Sequence, residues 1–371
     1  MKKWKKVLSM FVAISLLVIF TAGCGNSGSG PASSGTAPTP DASAPAPEDN
    51  PVELRMSFPN PVGSPTEMFY QYFAEAVHEE SGGSVTIITY PAASLIADAD
   101  APDALFNKQV ELCHATVSNL SPTIKELTPL ELPGIFRSDR HMEFAYILHP
   151  IINEICEPYG IKQVFPAAGG PAGFISKKGF ITDPSDLQGM TVRTSGRWIG
   201  EAMRLWGGSP VTMPQGDIPT ALERNTVDAV FSGGSTTIAP FRLYELADYV
   251  TYTMFQVIYT GMFMTLDSWN SLSPAQQAAF DRAVDRVIPY SEEIVLEFED
   301  AYIQDYLDYG AKFYNLSDEE NQKFFDIAIT LTEDPELLEL AGDLGKKLID
   351  VCAELRAGYD KPYQPGVKPQ L

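Results

Sequence analysis

Leu187-Gln188-Gly189-Met190-Thr191-Val192-Arg193-Thr194-Ser195-Gly196 is the stretch from which the fold can be read. The β-branched run Thr191 to Thr194 reads as a short strand, and a Thr-Ser-Gly turn follows it. Arg197 to Trp206 then reads as a helix, with Trp198, Ala202 and Leu205 on one face and Gly207-Gly208 as its stop. Pro210 to Met213 is the next strand, Asp217 caps a short helix through Arg224, and Val227 to Phe231 is a third strand. Strand, helix, strand, helix, strand is the order of an α/β lobe with a largely parallel sheet.

A second series of the same kind lies upstream. Val52, Leu54, Met56 and Phe58 alternate with polar or charged residues, the period of a strand. Ser64-Pro65-Thr66-Glu67 is a capping box with proline at the first helical position, and Phe69, Tyr72, Phe73, Ala76 and Val77 follow at helical spacing until Gly82-Gly83. Val85 to Tyr90 predicts a strand, Asp103 to Lys108 a short helix, and Leu112 to Val117 another strand. Downstream, Ser273-Pro274-Ala275-Gln276 opens a helical pattern that runs to about Tyr309, with a kink expected at Pro289. Such a helix would be about 54 Å long, longer than one small lobe is wide, so it can cross two. Ser317-Asp318-Glu319-Glu320 caps a further helix, and Leu337 to Leu355 reads as the last.

The N-terminus speaks to compartment. Lys2, Lys3, Lys5 and Lys6 precede an uncharged apolar run, Val7 to Phe20, too short to span a bilayer comfortably and laid out like a secretory signal. Thr21-Ala22-Gly23-Cys24 closes it, so residues 1–23 are expected to be a signal peptide. This site resembles the lipobox of bacterial lipoproteins, which makes Cys24 the candidate acylation site, although Thr21 stands where an aliphatic residue is usual. The remainder of 24–51 is Gly, Ser, Ala, Pro and Thr almost throughout, and cannot bury enough apolar surface to fold. It reads as a disordered spacer tethering a protein anchored outside the cytoplasm, at the cell surface or in the periplasm. About 320 residues follow it, enough for two lobes.

The chain has 26 basic and 48 acidic residues, a formal net charge of −22 that loss of the four signal lysines deepens to −26. That surface repels nucleic acid. It also repels an anionic solute at long range, so a carboxylate ligand needs a locally positive pocket. Besides Cys24 there are Cys113, Cys156 and Cys352, far apart and without a CxxC, so one disulfide is open but zinc and redox motifs are absent. His78, His114, His141 and His149 are scattered, and no GxSxG, HExxH or phosphate-binding glycine loop occurs. No cofactor or catalytic residue is expected, and no metal-ligand set is evident, which leaves co-binding of a cation open.

Three stretches resemble the receptor proteins of tripartite ATP-independent (TRAP) transporters, in the dicarboxylate-receptor family. They are Phe73-Ala74-Glu75-Ala76-Val77 through Ser81-Gly82-Gly83 to Tyr90-Pro91-Ala92-Ala93-Ser94-Leu95, then Leu187 to Arg193, then Gly208-Ser209-Pro210-Val211-Thr212-Met213-Pro214 with Ala221 to Ala229. The resemblance implies an α/β, two-lobed fold like that of periplasmic binding proteins, with a ligand cleft between lobes and a long helix crossing both. The expected division is lobe I at 52–170 and 259–298, and lobe II at 171–258 and 299–371. The implied function is capture of a small organic acid by its carboxylate and its delivery to TRAP membrane subunits, without enzymatic turnover.

Arg193 is the principal candidate contact. It ends a predicted strand, where ligands of open α/β sheets sit, and a guanidinium offers a planar fork that matches a carboxylate. The resemblance implies the same role for it. By the same resemblance Phe231 and Ser232 fall where the family often has a polar ligand contact, and Gln215 near a position that is aromatic in some members. Some relatives carry a second arginine about twenty residues earlier, but Gly170-Pro171-Ala172-Gly173-Phe174 stands here. A single clamp favours a monocarboxylate or an acid with a neutral far end, unless Arg197 supplies a second positive group. Trp198 and Phe174 leave room for an aromatic substrate tail. In lobe I, Asn60, Ser118 and Asn119 follow predicted strands and are candidate closing contacts.

Two rival readings stand beside this one. A receptor for an ABC importer or a membrane sensor would share the two-lobed plan. A surface-anchored enzyme would turn its bound acid over. Monomer and dimer are both open, the latter through the C-terminal helices.

Overall fold

The computed structural model describes residues 49–167 and 171–358. The expected signal segment, Cys24 and all but the last three residues of the spacer lie outside the described residues. Among the described residues no helix is long and apolar enough to cross a membrane.

The chain begins with β1 (Val52–Ser57), α1 (Pro65–Glu80), β2 (Val85–Tyr90), α2 (Ala101–Phe106) and β3 (Leu112–Thr116). β1 pairs in parallel with both β2 and β3. The Ser64 hydroxyl accepts from the Glu67 amide at 3.2 Å, capping α1 as expected. Glu67 returns to the Gly63 amide (3.1 Å) instead of that of Ser64, so the box is displaced by one residue. α1 buries Phe69, Tyr70, Phe73, Ala76 and Val77 against the sheet. The sequence reading omitted α3 (His141–Cys156), which precedes β4 (Ile161–Pro166).

The second sheet is built from β5 (Ala172–Ser176), β6 (Thr191–Thr194), α4 (Arg197–Leu205), β7 (Ser209–Thr212), α5 (Ile218–Glu223), β8 (Ala229–Gly233) and β9 (Tyr249–Tyr252). β6 lies between β7 and β8, parallel to both, while β5 runs antiparallel between β8 and β9. Asp217 occupies the N-cap position of α5, but its side chain makes no capping hydrogen bond.

The chain then returns to the first sheet as β10 (Thr260–Thr265), inserted between β3 and β4 and antiparallel to both. After α6 (Leu266–Ser271), the long helix α7 (Pro274–Tyr309) opens with the expected reciprocal box. The Gln276 amide donates to Ser273 Oγ at 3.1 Å, and the Ser273 amide to Gln276 Oε1 at 3.0 Å. Its N-terminal part packs on α1, where Arg282 and Arg286 pair with Glu80 and Glu79. Its C-terminal part packs on β11 (Lys312–Asn315) and on residues 234–245 of the second lobe. α7 therefore crosses both lobes, and Pro289 lies inside it.

β11 joins the second sheet at the free edge of β9. α8 (Asp318–Ala328) starts at the expected Ser317–Glu320 box. The last helix, α9 (Pro335–Ala357), departs from expectation. It packs on residues 125–131 and on α3, both on the first-lobe side, and Lys347 pairs with Glu154 of α3. Residues 335–357 therefore do not belong with the second lobe alone, because their apolar face, with Leu337, Leu348 and Cys352, joins a core that includes Leu127, Leu130 and Ile152. Cys113, Cys156 and Cys352 are free and buried in that core, where burial pushes each thiol up to about 12.

Candidate functional site: a bipolar cleft

A cavity of about 740 Å³ lies between the lobes. The chain leaving β1 supplies Asn60 to it, the end of β3 supplies His114 and Thr116, and the turn beyond supplies Ser118 and Asn119. From the other lobe come Arg193 and Ser195 at the end of β6, Thr212, Met213 and Gln215 beyond β7, and Ser232, Thr236 and Thr237 beyond β8. The walls are thus the carboxyl ends of parallel strands, where an open α/β sheet leaves a crevice.

Strand period decides which side chains face it. Arg193 is in register with Val230 across the parallel β6–β8 pair, and Ser232 lies two residues further along the same face. Phe231 points the other way, into a core with Phe174, Trp206 and Phe255, and is fully buried there. Phe231 is therefore not a cleft residue. Trp198 and Phe174 are also buried outside the lining, and among the described residues no Phe, Tyr or Trp lines the cavity. The aromatic tail allowed by the sequence meets no Phe, Tyr or Trp ring among the described residues.

Arg193 is 3% exposed. Its Nε and Nη2 both donate to the carbonyl oxygen of Met213, at 3.1 and 2.8 Å, and Nη1 approaches Ser232 Oγ at 3.4 Å. One edge of the guanidinium is thereby locked on the backbone, while the Nη1–Nη2 end keeps N–H donors unspent. No carboxylate of the described residues forms an ion pair with it. Burial lowers its pKa to about 10, so it remains a cation at neutral pH. A buried, fixed and unneutralised guanidinium is a costly feature unless an anion completes it.

The other candidates divide. Ser232 accepts from Arg193 and donates to Thr237 Oγ1 at 3.0 Å, which holds it in place. Gln215 donates to the Thr236 carbonyl and Thr237 Oγ1 at 3.1 and 3.2 Å. Asn119 Nδ2 donates to Asp98, to the carbonyl and to Oδ2, both at 3.0 Å. Arg197 lies at the cavity margin, but its guanidinium is about half exposed and gripped by Glu336 of α9, with Nη2–O distances of 2.8 and 2.7 Å. It therefore supplies no unpaired positive charge to the cleft.

The lobes meet on both flanks of the cavity. Asn60 Nδ2 reaches the Thr236 carbonyl at 3.5 Å, and Ser118 Oγ lies 3.5 Å from Ser195 Oγ. On the second flank Glu131 Oε2 accepts from the Trp198 amide (3.3 Å) in the first turn of α4, while Oε1 accepts from Ser121 Oγ. Burial raises the Glu131 carboxyl to about 7, against the opposing pull of these hydrogen bonds. The approach is close enough that Gly196 is required: a Cβ there would lie 2.3 Å from Glu131 Oε2 and 2.8 Å from Ser118 Cβ.

Sequence reasoning missed the Met213 carbonyl, Glu131 and two first-lobe residues, Asp98 and His114, that line the cavity. Asp98 belongs to the acidic run Asp98-Ala99-Asp100, which resembles an ordinary solvated loop, and His114 was one of four scattered histidines.

Comparison with known proteins identifies the family and the fold. The sequence model of DctP, bacterial extracellular solute-binding protein family 7, matches residues 57–335. A C4-dicarboxylate-binding protein of Bacillus subtilis is 24% identical over 292 residues, 76% of this chain and 81% of that protein. A TRAP periplasmic solute-binding protein from Desulfovibrio salexigens with bound orotic acid superposes with a TM-score of 0.76 at 19% identity, over 82% of this chain and 99% of that one. A TRAP periplasmic solute-binding protein from a Bradyrhizobium species in complex with galacturonate gives 0.70 at 23%, over 81% and 100%. With three quarters of its length matched, this chain belongs to the bacterial extracellular solute-binding protein family 7.

Proposed function

We propose that this protein is the extracytoplasmic receptor of a TRAP transporter, which captures a small organic acid by its carboxylate and hands it to the membrane subunits. The observation that carries the reading is Arg193, buried at the cleft wall with Met213 holding one edge and no acidic partner among the described residues. A carboxylate placed on the Nη1–Nη2 end would complete its charge with two charge-assisted hydrogen bonds. Several solved relatives of this fold have carboxylates bound, including malonate in one from Rhodoferax ferrireducens and succinate in one from Shewanella oneidensis. Ser232, Gln215, Asn60, Ser118 and Asn119 are the polar groups that would surround the ligand, and closing the lobes over it supplies the differential contact that shifts an open-closed equilibrium.

The receptor role carries no chemistry of its own, and among the described residues no His/Cys/Asp/Glu group suits a metal ion. Anchoring through an acylated Cys24 fits the N-terminal signal pattern. Uptake into vesicles holding the membrane subunits tests the transport assignment. The acid should enter only with receptor present, without ATP, and be recovered unchanged. A requirement for ATP would move the assignment to an ABC importer, and a converted product to an enzyme. Loss of labelled acyl chain in Cys24→Ser tests the anchor.

A further inference from the structure

The wall opposite Arg193 has the opposite polarity. Asp98 and His114 both line the cavity, and Asp98 Oδ1 lies 3.6 Å from His114 Nδ1, too far for a hydrogen bond. Asn119 holds the other carboxylate oxygen, Oδ2, at 3.0 Å. Asp98 Oδ1 and His114 Nδ1 are shielded from water and have no hydrogen-bond partner, and the same holds for Oδ1 of Asn60, a further first-lobe lining residue. His114 is 5% exposed, so water does not satisfy its ring from outside. Orphaned buried polar atoms of this kind are rare and costly, and two of these three are oxygens that can only accept.

The charges of the lining agree. Arg197 is spent on Glu336 and Arg204 on Glu201, which among the described residues leaves Arg193 as the lining arginine without an acidic partner on one side and the carboxylates of Asp98 and the more exposed Asp103 on the other. Asp98 is also the acid whose charge acts on Arg193 across the cavity. A ligand with a second carboxylate at its far end would set that group against Asp98. A ligand with a cationic nitrogen there would be attracted to the Asp98 carboxylate instead, and a side-chain rotation that turned the now-shielded Asp98 Oδ1 and His114 Nδ1 toward it would give both a partner.

We propose that the ligand is zwitterionic, a small amino or imino acid whose carboxylate is held by Arg193 and whose cationic nitrogen is received by Asp98 and His114. This rests on the reading that Arg193 clamps a carboxylate, and it narrows the organic acids to one class.

The test is calorimetric titration of the purified full-length chain with matched sets of equal carbon count: 4-aminobutyrate, succinate and 4-hydroxybutyrate; β-alanine, malonate and 3-hydroxypropionate. Proline and the common α-amino acids complete the panel. The expected result is that the tightest ligand is a zwitterion, bound at least tenfold better than its diacid and hydroxy-acid counterparts. Asp98→Asn, nearly isosteric and checked for an unchanged ligand-free melting curve, should remove most of that preference. The proposal is overturned if a diacid or hydroxy acid binds best, or if Asp98→Asn leaves the ratio intact, while Arg193→Ala still abolishes binding. In that outcome the carboxylate clamp stands alone. If no acid of any kind binds, or if Arg193→Ala changes nothing, the clamp itself fails and this inference falls with it.

Discussion

Replacing Arg193 with alanine should separate binding from folding. In the ligand complex the acid's carboxylate would sit in a cleft flanked by interlobe contacts, where the other lining arginines of the described residues, Arg197 and Arg204, are already paired. Removing one partner of a desolvated pair leaves the other uncompensated, at a cost of about 3–5 kcal/mol, so affinity should fall by roughly two to three and a half orders of magnitude. The ligand-free protein should behave differently. It loses the hydrogen bonds to the Met213 carbonyl, worth about 1–3 kcal/mol for a charged donor, but it also sheds a buried cation without a counter-charge. These effects oppose, so the melting temperature without ligand should stay near that of the parent. Arg193→Lys keeps the charge but loses the planar fork shared between Met213 and the ligand, so it should weaken binding by about tenfold or more. Calorimetry with the tightest acid, alongside melting curves of each variant, reads both quantities. Binding by Arg193→Ala within threefold of the parent would refute the reasoning, as would a variant that fails to fold.

Phe231→Ala should cost about 3–5 kcal/mol of stability in denaturant unfolding, because the ring packs against Phe174, Trp206 and Phe255. The folded fraction should bind ligand with unchanged affinity. Gly196→Ala sets a Cβ against Glu131 and Ser118 across the lobes, and overpacking of about 1–3 kcal/mol should appear as a loss of affinity of roughly five- to 150-fold by calorimetry. For pH, the folded-state Glu131 carboxyl is raised from 4.5 to about 7, so the folded protein holds that proton more tightly than the unfolded chain. Its contribution to stability is therefore complete below pH 4.5 and is lost as pH rises to about 7, a change of about 3 kcal/mol. Glu299 on α7 is raised to the same extent by burial and adds a similar slope. Glu131→Gln should flatten the fall in melting temperature over that range by roughly half.

Much of the scaffold was legible because its signals are local. The caps at Ser273 and Ser317 and the strand at Val85 to Tyr90 lie where the sequence puts them, since capping boxes and β-branched runs act over a few residues. β10 was not legible in its place: it pairs with β3, nearly 150 residues earlier, and nothing in Thr260–Thr265 encodes that partner. β5 is buried on both faces, so its residues lack the alternation that marks a half-exposed strand, whereas β8, equally buried, was read from its apolar run. At the site, Arg193 stood out because it ends a predicted strand before a Thr-Ser-Gly turn and matches the arginine of the family motif it resembles. Strand period could have excluded Phe231 once Ser232 was chosen, since neighbours on a strand face opposite ways. The pairing of Arg197 with α9, and the juxtaposition of Asp98 and His114, depend on tertiary proximity across 139 and 16 residues and leave no mark on local pattern.

The most direct test of the central claim is a crystal structure of the protein with its tightest-binding acid. The carboxylate should lie in the cleft with its oxygens within hydrogen-bond distance of Arg193 Nη1 and Nη2, and with Met213 still holding the Nε edge. A carboxylate found on Arg197 or Arg204, or a ligand bound outside this cavity, would contradict the account.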